Sequence, residues 1–145
     1  MKTLISILLF SSLIFAPMLT AGSDPNSESH KTAIVENLTR GVNSDNEGLR
    51  ISSALVIKQV IDNNIVHPDD FSSSLIPLLK MLDKGTTTAE RMTAALTLYS
   101  LDNGIGIYKL RGSARFDASK KVRTISKNLY YGYHTIHNST YFLDF

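Results

Sequence analysis

The chain has 145 residues, a formal net charge of +2, 43% hydrophobic and 19% charged residues, and no cysteine. That balance is typical of a folded globular protein, and it gives no electrostatic ground for a nucleic-acid partner, which requires a concentrated basic face. Without cysteine there are no disulfides, no thiol catalysis, no lipidated cysteine anchor and no thiolate metal site, so stability must come from apolar burial.

Met1 and Lys2 give a short positive start, and Leu4 to Leu19 is an apolar run broken only by Ser6, Ser11, Ser12 and Pro17. Small residues Thr20, Ala21 and Gly22 follow. This pattern predicts a signal peptide over residues 1–22 with cleavage near Ala21 or Gly22, because a run of about 16 apolar residues falls short of the roughly 20 that cross a bilayer. The mature chain is then exported to the periplasm or extracellular space, and its roughly 123 residues suffice for one core. No later segment is long and apolar enough to span a membrane. Residues 23–30 are expected to form a flexible start, residues 31–133 a helical domain, and residues 134–145 an aromatic tail ending in Tyr141-Phe142-Leu143-Asp144-Phe145.

Within the helical domain the sequence echoes itself. Aligning Arg50 with Arg91 places Ala54 on Ala95, Leu55 on Leu96 and Ile57 on Leu98. Ser44-x-x-Glu47 and Thr87-x-x-Glu90 read as capping boxes that open the second helix of each unit. Those helices are apolar over more than one face and so require partners on two sides. The first helix of the second unit, Ser74 to Leu82, carries Leu75, Leu78, Leu79 and Leu82 at helical spacing, with Pro77 tolerated in its first turn. A weaker third unit has Ile107, Leu110 and Ala114 before Asp117, then Val122, Ile125 and Leu129. Arg123 takes the place of Arg50 and Arg91, while Lys127 and Asn128 replace alanine and leucine, which marks the last helix of a stack. Breaks are expected at about residues 43–46, 62–73, 83–88 and 115–119, within the usual boundary error of a few residues. By their shared step in the echo, Leu55 and Leu96 are both expected to be buried between hairpins.

The arginine followed by small residues in Arg50-Ile51-Ser52-Ser53-Ala54-Leu55 and Arg91-Met92-Thr93-Ala94-Ala95-Leu96, with the run Leu75 to Leu82, resembles the HEAT-repeat family over residues 33–133. It is also similar to small exported bacterial proteins with two or three such repeats. The resemblance implies an all-α fold, a short α-solenoid of two to three stacked helical hairpins. The family's acid and arginine appear as Asp45 with Arg50 and Asp117 with Arg123, whereas the middle unit has Arg91 without an acid at the turn. In such stacks these residues tie neighbouring hairpins together. The other reading makes Arg50, Arg91 and Arg123 a stripe that binds an anionic partner on a concave face.

Candidate chemistry is sparse. His134-x-x-His137 has helical spacing for a metal but lacks a third ligand nearby, and His67 with Asp69 and Asp70 reads better as a helix start. Ser72, Ser73 and Ser74 look like helix entry, with no nucleophile elbow. Gly104-Ile105-Gly106 lacks the lysine and preceding strand of a phosphate loop. The glycosylation-type triplets at Asn37 and Asn138 read as chance matches, the first because it sits on a helix. The alternation of the tail, Tyr141-x-Leu143-x-Phe145, fits packing over the end of the stack better than a barrel strand. No cofactor or metal is expected. The leading expectation is a non-enzymatic interaction module that binds a protein or peptide along its second helices. The alternative is an enzyme or small-ligand carrier whose site assembles only in the fold.

Overall fold

A computed structural model describes residues 28–137, and every regular element among them is helical, as expected of an all-α chain. The elements are α1 (Glu28–Val42), α2 (Glu47–Asp62), a 3-10 segment (Pro68–Ser74), α3 (Leu75–Lys84), α4 (Thr88–Ser100), α5 (Gly104–Phe116) and α6 (Lys120–Ile136). The segment expected to be a signal peptide, most of the segment expected to be a flexible start, Asn138 and the aromatic end of the chain lie outside the described residues. Helix α1 begins inside the segment expected to be flexible, and α6 runs past residue 133.

Each helix pair is joined by a short turn; polar side chains in it cap α2 and α4, whereas Ser119 at the start of α6 makes no side-chain cap bond. The first capping box is a correction: Asn46, not Ser44, caps α2, accepting from the Leu49 amide at 3.0 Å, while Ser44 Oγ accepts from the Asn46 amide at 3.1 Å. The carboxylate of Glu47 is used elsewhere, accepting from the hydroxyls of Thr86 and Thr87 at 3.2 and 2.6 Å. The second box is half right. Thr87 caps α4 through the Glu90 amide at 3.2 Å, but Glu90 Oε2 accepts from the Thr86 amide rather than from Thr87.

One break was not expected. Residues 101–103 separate α4 from α5, with Asp102 in the left-handed region at φ 51° and Asn103 capping α5 through the Ile105 amide. Asn64 does the same after α2, at φ 55°. Short Asx side chains tolerate this conformation by bonding locally. The expected 62–73 break instead contains the 3-10 segment, opened by Pro68 and by His67, whose Nδ1 accepts from the Asp69 amide at 3.3 Å. The serines Ser72 to Ser74 lead into α3 as expected.

Consecutive helices pack in pairs, α1 on α2, α3 on α4 and α5 on α6. Helix α4 also lies between α2 and α6, while α3 touches α5 and the 3-10 segment touches both α1 and α3. The core lies between these two rows and contains Phe71, Ile57, Leu78, Leu98, Leu110 and Val122, all without solvent access. The 3-10 segment bridges the long connection by burying Phe71 and by placing Ser74 Oγ 2.8 Å from Thr39 Oγ1. Close helix approach depends on glycine at two places. A Cβ at Gly41 would stand 1.9 Å from Ser53 Oγ, and one at Gly106 would stand 3.3 Å from Leu98 Cδ2.

The echo predicts the wrong buried step. Ala54, Ala95, Ile57 and Leu98 are buried, but Leu55 is 44% exposed and Leu96 only half-buried. Both leucines follow an alanine that faces the core, and one residue further along a helix turns the side chain by about 100°. Lys127 and Asn128, the replacements in the last unit, are exposed.

Candidate interaction surfaces

The three arginines occupy one step near the start of α2, α4 and α6, and each reaches back to carbonyls of the turn before its helix. Arg50 Nη1 donates to the Ser44 and Asp45 carbonyls at 3.0 Å each, Arg91 Nη1 to Gly85 at 2.7 Å, and Arg123 Nη1 to Asp117 and Ala118 at 2.6 and 3.1 Å. Carbonyls left over at a turn thus gain a charged donor, a stronger bond than a neutral one.

The acids differ from expectation. Arg50 does not pair with the Asp45 carboxylate; its Nε donates to Glu90 Oε1 at 2.6 Å across the α2/α4 seam. Arg91, for which no acid was expected, donates through Nε and Nη2 to both oxygens of Asp117 at 2.9 and 3.3 Å. Arg123 bonds only the carbonyls already named, and no salt bridge among the described residues engages it. The rung therefore runs from Arg50 and from Arg91 forward to an acid at the entry of the next second helix. Glu90 is 2% exposed and Asp117 6% exposed, so each carboxylate needs its guanidinium. The hydrogen bond to Glu90 raises the Arg50 pKa above its ordinary value, outweighing the opposing effect of burial. The sequence signal for the pairing is an acid near the next arginine; the capping box assigns Glu90 to its own helix and the family pattern assigns Asp117 to Arg123, whereas the two carboxylates bind Arg50 and Arg91.

The histidine pairs carry no metal geometry. No group of three His, Asp or Glu side chains among the described residues is placed to hold an ion. The His134 ring lies edge-on to Tyr130 and Tyr133, with centroids 4.4 and 5.3 Å apart. Burial, and then the neighbouring His137, lower its pKa. His67 and Asp69 form an exposed contact at 3.4 Å. Gly104 and Gly106 begin α5, and Asn37 lies on α1 with its Oδ1 3.5 Å from Arg40 Nη1.

Two apolar surfaces remain, one on each row. On the second-helix row, Leu49, Leu55 and Val56 of α2 are exposed, and Met92 and Leu96 of α4 are half-buried. A shallow recess of about 550 Å³ continues from Met92 to Ile125, edged by Lys120 and Lys121. On the first-helix row, Ile76, Ile105 and Tyr108 stand exposed above a recess of about 250 Å³ between α3 and α5. Comparison of the chain with protein-family models, with curated proteins and with solved structures finds no match.

Proposed function

We propose that the chain is a short HEAT-like α-solenoid acting as a non-enzymatic interaction module of the periplasm or extracellular space, binding a protein or peptide along the outward face of α2, α4 and α6. The carrying observation is that Leu55, placed by the echo among core residues, is 44% exposed, while Leu96 and Met92 of α4, which packs on α2, are half-buried. Exposed large apolar side chains in a row are costly to solubility and mark contact surfaces when they are contiguous. Lys120 and Lys121 at the far edge of the row favour a segment with apolar side chains followed by carboxylates. In this reading Arg50, Arg91 and Arg123 are structural, since their donors are already engaged with turn carbonyls and with Glu90 or Asp117.

Affinity capture from the native envelope tests the proposal. Leu55→Asp and Lys121→Glu together are expected to abolish capture of the wild-type partner while leaving the melting temperature within a few degrees of the parent. Capture of the same partner by the double variant would contradict it.

A further inference from the structure

We propose that the opposite row, the outward face of α3 and α5, docks on the surface of an anionic lipid bilayer. Three observations converge there. Ile76, Ile105 and Tyr108 are 57%, 61% and 71% exposed, so most of each side chain stands at the surface. They share one recess with Leu79 and with Lys80, Lys84 and Lys109. The single acid there, Asp83, is neutralised by Lys109 Nζ at 2.6 Å, and no salt bridge among the described residues engages Lys80 or Lys84.

The shape favours a bilayer over a peptide. An open recess of about 250 Å³ is smaller than the roughly 300–1,000 Å³ of pockets that enclose a ligand. Projecting aliphatic side chains and a tyrosine instead fit the headgroup boundary, where an amphipathic ring sits with its apolar body down and its hydroxyl in water. Lys80 and Lys84, one helical turn apart on α3, extend long stems over the same surface and present their ammonium groups to lipid phosphates. No helix among the described residues is long and apolar enough to cross a membrane, so this mode is lateral contact of a helix face. The second-helix row stays free for a protein partner.

The chain has no tryptophan, so a single introduced indole reports its own surroundings. In the full chain, Tyr108→Trp and Ile105→Trp are separate reporters on this face, and Val56→Trp is the control on the other row. With vesicles of mixed phosphatidylglycerol and phosphatidylcholine, emission at both reporters is expected to shift to the blue and to be quenched by brominated acyl chains, with no change at Val56→Trp. Adding Lys80→Glu and Lys84→Glu to Tyr108→Trp should raise the half-saturating lipid concentration by about tenfold or more, given the attraction of each basic side chain to an anionic surface. Equal shifts with pure phosphatidylcholine, equal shifts at all three positions, or no shift at either reporter would overturn the proposal. A lipid-independent shift that grows with protein concentration would assign the face to a second copy and overturn it as well.

Discussion

Helix α4 meets α2 on one side and α6 on the other, and it treats the two seams differently. Toward α2 the polar links run the length of the helix: Glu47 accepts from Thr86 and Thr87, Arg50 donates to Glu90, Thr97 Oγ1 donates to the Ala54 carbonyl at 2.9 Å, and Ser100 Oγ donates to Asp62 at 2.8 Å. Toward α6 the polar links stand at the two ends: the Arg91–Asp117 pair where α6 begins, and, where it ends, Asp102 of the turn after α4 with Tyr133 and with His137 at 3.5 Å. Between these ends the helices are close-packed where Gly132 leaves room for the Tyr99 hydroxyl. The arginine rung is thus a device used at both seams, while the Glu47, Thr97 and Ser100 links are particular to the first. A seam linked along its length is specific in register, whereas one linked at its ends depends more on the packing between them.

The largest expected effect comes from removing a rung. Arg50→Gln leaves Glu90 buried without its cation and should cost about 3 to 5 kcal/mol in denaturant unfolding. Arg91→Gln should approach that value, because Asp117 then keeps the Ser119 amide at 2.7 Å as its remaining donor among the described residues. Arg123→Gln loses bonds to two carbonyls at the end of the row and should cost about 1 kcal/mol. An Arg123 variant as unstable as the Arg50 variant would erase the distinction between an inter-helix rung and a turn clamp.

Next in size is the core register. Leu98→Ala should cost about 2 to 5 kcal/mol, and Leu55→Ala less than about 1 kcal/mol. Equal losses would restore the burial that the sequence echo implied. Smaller again is Ser126→Ala in α6. Its Oγ is fully buried without a hydrogen-bond partner among the described residues, at the step where α4 has Ala94. Alanine there should leave stability unchanged or raise it by about 1 kcal/mol, since the hydroxyl's desolvation cost disappears. A loss above that size would show that the second seam has a polar link at Ser126.

The smallest effect is in pH. His134 has a pKa lowered by burial and then by His137, so the folded state binds its proton less readily than the unfolded chain. The neutral ring's contribution is complete above the unfolded value of about 6.5 and is lost as pH falls from there toward the folded value. Melting temperature should therefore decline between about pH 7 and pH 5, and less steeply in His134→Phe. An identical slope in that variant would place the sensitivity elsewhere.

Helix pairs were legible in the sequence because their turns are polar and their apolar spacing is regular, and the three arginines stood out because they recur at one step. Their partners did not stand out. Glu90 belongs to a capping motif, and a local reading consumes its carboxylate in its own turn, whereas in three dimensions that carboxylate crosses the seam to Arg50. Leu55 was misplaced for a related reason. A helix that is apolar on several faces does not reveal by periodicity which of them looks outward, and the choice is made by Ala54 and Ile57, which let α2 and α4 approach closely. The break at Asp102 was missed because an Asx residue in the left-handed region leaves no proline or glycine signature at that position.

The direct test of the rung is a double-mutant cycle on Arg50 and Glu90, with Arg50→Gln, Glu90→Gln and the double variant unfolded in urea. A pair that binds α2 to α4 predicts a coupling energy of about 1 to 3 kcal/mol, with the double variant more stable than the sum of the single losses implies. Additive losses with no coupling would contradict the account.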